Sequence, residues 1–312
     1  MLHLRVTCPA EVTGAVLDRL RNDAGTAHLT VVRGAAVDPP GDLVEADVAR
    51  ETADDVLATL SALGVDHTGG ITLEPVDTVL SDAADAAEQA APGDPADAVV
   101  WDELIARTGD DSRLTFTFLA FLTLACLLAV IGVVTNSPVT VVGAMVVGPE
   151  FAPLAAIAVG VVLHRGDLVR RATLALGVGF PLAMLIAAAG ALLGEWAGLI
   201  DPAVLRETDQ VDFIYDVGAF SFIVALLAGA AGMLSLTSAK SAALIGVFIS
   251  VTTVPAAGFA VVAATAGEWG TAALSTLQLL VNLVGVAFAG VLVLLLRTRR
   301  DNRNLGRPLS GG

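Results

Sequence analysis

The chain has 312 residues, 55% of them hydrophobic and only 16% charged, with a mean hydropathy of +0.77. A soluble globular chain carries roughly 25% charged residues. The net charge of −15 is unevenly spread: residues 1–113 hold 22 Asp and Glu against 7 Lys and Arg, whereas residues 114–312 hold 10 of each. An acidic leading part and a nearly uncharged remainder argue against nucleic-acid binding, which needs a basic face. Two cysteines, Cys8 and Cys126, argue against a disulfide scaffold. This is the composition of an integral membrane protein with a soluble N-terminal domain.

In chain order, Leu2, Leu4 and Val6 alternate as a strand, and Glu11–Asn22 carries Val12, Val16, Leu17 and Leu20 on one helical face. His28–Arg33 and Leu43–Ala49 read as two further strands. Thr52–Leu63 reads as a second amphipathic helix, and Gly70–Val76 as a last strand. The order βαββαβ predicts a ferredoxin-like α+β domain over residues 1–76, with a regulatory or assembly role or that of a passive cap. No secretory signal precedes it, so the domain is expected to stay on the side where it is made. Residues 77–113 are expected to hold a linker and a juxtamembrane helix: an Ala- and Asp-rich connector over 77–98, whose first part could form a solvated helix ended by Pro92 and Pro95. A juxtamembrane helix over Asp97–Thr108 follows, either placing Trp101 at the membrane interface or packing on the soluble domain.

From Leu114 the hydropathy is nearly unbroken. A helix crossing a hydrocarbon core of ~30 Å needs ~20 apolar residues, and six candidates qualify: Leu114–Val134, Pro138–Leu163, Ala172–Gly194, Val217–Leu236, Ser241–Ala264 and Thr271–Leu296. One set of connections holds Arg113, Arg165, Arg170, Arg171 and Lys240, together with the basic tail over residues 298–312. The other set holds Arg206 alone amid Glu195, Asp201, Glu207, Asp209, Asp212, Asp216 and Glu268. Basic residues favour the cytoplasmic side. A six-helix transmembrane domain over residues 114–297 is therefore expected in the plasma (inner) membrane, with both termini cytoplasmic.

The six spans fall into two halves of three. The stretch from Asn136-Ser137-Pro138 to Pro149-Glu150-Phe151-Ala152-Pro153 is echoed from Ser238-Ala239-Lys240 to Ser250-Val251-Thr252-Thr253-Val254-Pro255. Three spans is an odd number, so the copies run in opposite directions, as inverted repeats do in secondary transporters. Pro149 and Pro153 should interrupt the second span, and Ser250, Thr252, Thr253 and Pro255 should weaken the fifth. Backbone groups freed in hydrocarbon must be met by protein, water or cargo. The two breaks thus predict a substrate or ion site near the midplane, against the plainer reading of two kinked, packed helices.

Glu150 is the sharpest candidate, a carboxylate deep in a predicted span, where a charge costs at least ~3 kcal/mol on insertion scales. There it could carry a proton, hold a cation, or bond structurally to the opposite repeat. Asn136 and Ser137 either cap a turn or line the pathway, and Gln278 and Asn282, at i and i+4, either line it or join two helices. Gly177-Val178-Gly179, Gly229-Ala230-Ala231-Gly232, Gly285 and Gly290 permit close helix approach within or between subunits. No metal cluster, phosphate loop, triad or haem-ligand pattern is legible, so neither cofactor nor enzymatic activity is expected; His3, His28, His67 and His164 are scattered.

With Asn136-Ser137, then Gly143-Ala144-Met145, then Pro149 and Pro153, the chain resembles the domain-of-unknown-function 389 family of conserved hydrophobic membrane proteins, most clearly over residues 114–260. Glu150 falls where many members carry an apolar residue. The resemblance implies the membrane architecture and no substrate. The function expected from the residues is a secondary carrier of a small solute or ion, working as a homo-oligomer in the lipid bilayer. Proton coupling through Glu150 is the mechanism expected. An oligomeric ion channel is the first alternative and a membrane-anchored ligand sensor the second.

Overall fold

The computed structural model describes residues 1–76, 78–94, 98–199, 219–238 and 253–305. The chain divides into two compact units. One comprises Met1–Leu104 with Thr237–Ala239 and Arg297–Gly312, and the other Ile105–Leu236 with Lys240–Leu296.

In the N-terminal unit, β1 (Leu2–Cys8), α1 (Ala10–Arg21), β2 (Thr26–Val37), β3 (Pro40–Val48), α2 (Arg50–Ala62), the single turn α3 (Val65–Thr68) and β4 (Gly70–Pro75) follow the expected βαββαβ order. The four strands form one antiparallel sheet in the order β2-β3-β1-β4. Strand side chains alternate between faces, so Leu2, Leu4, Val6 and Cys8 of β1 and Val44, Ala46 and Val48 of β3 share one face. They pack there with Val16, Leu17 and Leu20 of α1 and Val56, Leu57 and Leu60 of α2. β2 runs past the expected His28–Arg33 at both ends because its outer half, with Val32 and Val37 exposed, carries no burial pattern to read.

The first part of the connector after β4 is helical, as expected. Helix α4 (Asp82–Ala90) is capped by the Ser81 hydroxyl and packs against β2. Val100 joins the core, just before α5 (Trp101–Asp111). The Trp101 N–H donates to Asp54 at 3.0 Å, and Arg50 pairs with Glu103 at 2.8 Å. Of the two readings for this stretch, packing on the soluble domain holds for residues 98–104. On the sheet's other face, the register that sets His3 opposite Asp47 brings in a second histidine. Asp47 Oδ1 meets His3 Nδ1 at 2.8 Å and its Oδ2 meets His28 Nδ1 at 2.6 Å, while His28 Nε2 reaches Ser81 at 2.7 Å.

The second unit contains apolar helices: α6 (Phe116–Val134), α7 (Pro138–Val147), α8 (Phe151–Val162), α9 (Gly166–Trp196), α10 (Ala219–Thr237), α11 (Val254–Thr265) and most of α12 (Trp269–Leu305). Among the described residues four helices are long and apolar enough to cross a membrane: α6, α9, α10 over Phe220–Thr237 and α12 over Trp269–Thr298. The bent pair α7 and α8 makes a fifth if taken as one span. Of the expected span Ser241–Ala264, residues 241–252 lie outside the described residues. The described remainder, α11, has 12 residues, or ~18 Å at ~1.5 Å per residue, about half a hydrocarbon core. Pro181 sits inside α9 without ending it.

The core of this unit joins Phe118, Leu122, Cys126 and Val130 of α6, Met145 of α7, Leu154 of α8, Phe180 of α9, Phe259 of α11 and Leu279 and Val286 of α12. Outward rows such as Phe121 and Leu124, Leu185 and Leu192, and Leu277, Val284 and Phe288 stay exposed, as surfaces facing lipid rather than water do. Glycine sets the closest approaches. A Cβ at Gly258 would lie 2.5 Å from Ala129 Cβ, and one at Gly229 would lie 2.5 Å from the Val286 carbonyl oxygen.

Candidate functional site

The site is built on a helix break. Asn136, at φ +46°, closes α6, with the Ser137 N–H bonded back to the Gly132 carbonyl at 2.8 Å. The Ser137 hydroxyl then caps α7 by accepting the Thr140 N–H at 3.3 Å, and Pro138 takes the first turn, where no N–H is required. Asn136 and Ser137 are thus turn and cap residues, about 15 Å from the end of α7 at ~1.5 Å per residue.

Helix α7 stops at Val147, and α8 resumes at Phe151 on an axis bent by 51°. Gly148, Pro149 and Glu150 form the break. Pro149 has no N–H to continue the ladder. Pro153, expected to interrupt the span itself, instead lies in the first turn of α8, where a missing N–H costs nothing. Pro255 sits likewise in the first turn of α11.

Glu150 is 1% exposed and Thr253 fully buried. The Thr253 hydroxyl donates to Glu150 Oε1 at 2.6 Å, across 103 positions of sequence. The two residues hold the same place in their elements. Glu150 is the residue before α8 and Thr253 the residue before α11, and each of these helices has 12 residues. Neither side chain caps its own helix; the two bond to each other. The first N–H groups of a helix lack intrahelical partners and carry partial positive charge, so two such ends flank the carboxyl group. The elements that carry the pair are packed with apolar side chains: Leu154 on α8, Ala256, Ala257 and Phe259 on α11, and Met145 on α7 are all buried in one cluster.

Among the other expected site residues, Ser250 and Thr252 lie outside the described residues. Gln278 and Asn282 are buried on α12. Gln278 Nε2 donates to the Ser221 hydroxyl of α10 at 3.1 Å, and that hydroxyl donates to Asn282 Oδ1 at 3.3 Å. The i, i+4 spacing signalled a shared face; the helix it meets was not readable. Ser221, which sequence reasoning passed over, was marked only by being a hydroxyl in the run Ala219-Phe220-Ser221-Phe222-Ile223. Among the described residues no group of three or more His, Cys, Asp or Glu side chains could hold a metal ion.

No curated protein and no solved structure matches the chain. Residues 145–288, a stretch that holds Pro149, Glu150, Thr253, Gln278 and Asn282, match the family model described as Domain of unknown function (DUF389), and that match supports assigning the chain to the DUF389 family.

Proposed function

We propose that the protein is a secondary carrier of a small solute or ion, coupled to protons through Glu150. In this reading it has six spans arranged as two inverted three-helix repeats, works as a homo-oligomer in the plasma membrane with both termini cytoplasmic, and carries a regulatory or assembly domain at its N-terminus. The observation that supports it is the hydrogen bond between Glu150 and Thr253. Residues that open two 12-residue helices in the two halves meet side chain to side chain, as the breaks of an inverted repeat do in carriers. A carboxyl group facing a hydroxyl suits proton exchange, because a hydroxyl can donate to the ionised acid or accept from the protonated one. A packing kink needs no carboxyl group there.

The test is charge movement in proteoliposomes on a solid-supported membrane, with pulses of pH and of a panel of cations, anions and small acids. Saturable transient currents in the unaltered protein, lost or made independent of pH in Glu150→Gln, support the carrier. Sustained currents indifferent to Glu150→Gln favour a channel and reduce Glu150 to a packing role. Thr253→Val should shift the pH dependence of the transient without abolishing it, since it removes the partner and leaves the acid.

A further inference from the structure

Where α8 turns into α9 the surface carries an open groove of about 580 Å³ that the carrier reading does not use, lined by Gly160, Val161, His164, Val169, Arg170 and Leu174 among others. Gly160 makes it by letting the two helices close up, since a Cβ there would come within 2.7 Å of Val169 Cγ2. Its walls are apolar, and Val161 and Leu174 are each nearly half exposed. Its rim is basic. Arg165 is occupied by Asp167 at 3.3 Å, but among the described residues Arg170 and Arg171 have no ion-pair partner. Both stand in the second turn of α9, near the helix end where a cation opposes the macrodipole, so they are not there to stabilise the helix. The groove lies where α8 ends and α9 begins, both of them apolar helices.

We propose that this groove seats an anionic phospholipid, its phosphate against Arg170 and His164 and an acyl chain along Val161, Val169 and Leu174. A basic pocket between spans is suited to such headgroups. Arg170 offers a fork of N–H donors that matches a phosphate, and the apolar walls offer contacts that an acyl chain uses and a free phosphate does not. The inference requires the helices to lie in a bilayer and is independent of any transport activity.

The experiment is native mass spectrometry and thermal unfolding of the full chain in detergent, titrated with phosphatidylglycerol, phosphatidylcholine or glycerol phosphate. Phosphatidylglycerol should leave a retained adduct and raise the unfolding temperature, and the other two should not. Arg170→Gln should weaken phosphatidylglycerol binding about tenfold, the loss of one charge-assisted contact. Arg170→Lys, which keeps the charge and loses the fork, should fall between the native protein and Arg170→Gln, and Arg171→Gln, outside the lining, should retain nearly all of the binding. Equal binding of phosphatidylcholine overturns the proposal, as does a loss in Arg171→Gln matching that in Arg170→Gln, which would mean diffuse attraction. Competition by glycerol phosphate would make the groove a free-anion site, and a lipid-independent dimer lost in Arg170→Gln would make it a subunit contact; either result overturns the lipid.

Discussion

Each unit buries a carboxylate against a threonine hydroxyl. In the N-terminal unit Asp42, 3% exposed, accepts the Gly34 N–H at 2.8 Å, the Thr13 hydroxyl at 2.8 Å and the Arg33 guanidinium at 2.6 Å. In the apolar unit Glu150, 1% exposed, accepts the Thr253 hydroxyl at 2.6 Å. Asp42 ties β2 to β3 and α1, and the Gly34 N–H, then the Thr13 hydroxyl, then Arg33 hold it below the usual carboxylate range. Its charge is built into the fold. The hydroxyl that meets Glu150 accommodates either protonation state, and Glu150 itself stands at the break between α7 and α8. Carboxylates in similar burial thus differ in what holds them: one is fixed at a sheet edge by a guanidinium, a backbone N–H and a hydroxyl, and the other meets a hydroxyl at a helix break, where the proposed carrier needs its charge to come and go.

Replacing each by leucine separates the two most widely. Asp42→Leu strands the Gly34 N–H, the Thr13 hydroxyl and Arg33 together, so residues 1–104 should lose most of their protection in hydrogen exchange of the full chain. Glu150→Leu removes the carboxyl group and strands the Thr253 hydroxyl. Its effect on unfolding in detergent should stay within about 1 kcal/mol of zero, of either sign, while pH-driven currents disappear. Sites kept for function are often ones whose loss leaves stability intact. If Glu150→Leu unfolds the apolar helices as thoroughly as Asp42→Leu unfolds the sheet, the carboxyl group of Glu150 is structural and the comparison collapses.

How far each region could be read from sequence follows from the same physics. Alternation in Leu2-His3-Leu4-Arg5-Val6 and a 3.6-residue period in Val12, Val16, Leu17 and Leu20 report burial directly, so the βαββαβ order was legible. Interactions that depend on register were not. Asp47 between His3 and His28 requires knowing that β3 pairs β1 with His3 opposite Asp47, and Asp42 beside Thr13 requires knowing how α1 lies on β3. The break at Gly148-Pro149-Glu150 was legible because proline removes a donor wherever it stands. Pro153 misled for the same reason, because its effect depends on whether it falls before a helix or in its first turn. Thr253 was legible only through the echo between the two halves, a sequence signal that reaches across the 103 positions separating it from Glu150.

Acid should find the sheet's charges first. Burial pushes Asp47 up, but hydrogen bonds from His28 and then His3 outweigh it and leave the group, like Asp42, below its ordinary value. For a carboxylate lowered in the folded state, the stabilisation is complete above the unfolded value, about 3.9 for Asp, and fades as pH falls through the folded value. The sheet signal in circular dichroism should therefore hold to about pH 4 and decline below it. Asp42→Asn should start from lower stability and decline less steeply. An unchanged slope in that variant would show that Asp42 is not the compensated charge described above.

The smallest effect comes from a third carboxylate, which has neither the cation of Asp42 nor the hydroxyl of Glu150. Both oxygens of Glu51, in the first turn of α2, are buried without a hydrogen-bonding partner outside its own backbone. Burial raises its pKa, its backbone N–H works against that, and the charge of Glu88 adds to the rise. A carboxylate raised in the folded state costs stability once it is ionised, so the cost is absent below its unfolded value and complete above its folded one. Glu51→Gln keeps the shape and removes the charge. It should raise the unfolding temperature by about 2 °C at pH 7.5, with the gain vanishing near pH 4, where the native side chain is already protonated. A loss of stability at pH 7.5 would mean that the charge itself is held by the helix end, and Glu51 would then stand with Asp42 as a built-in charge.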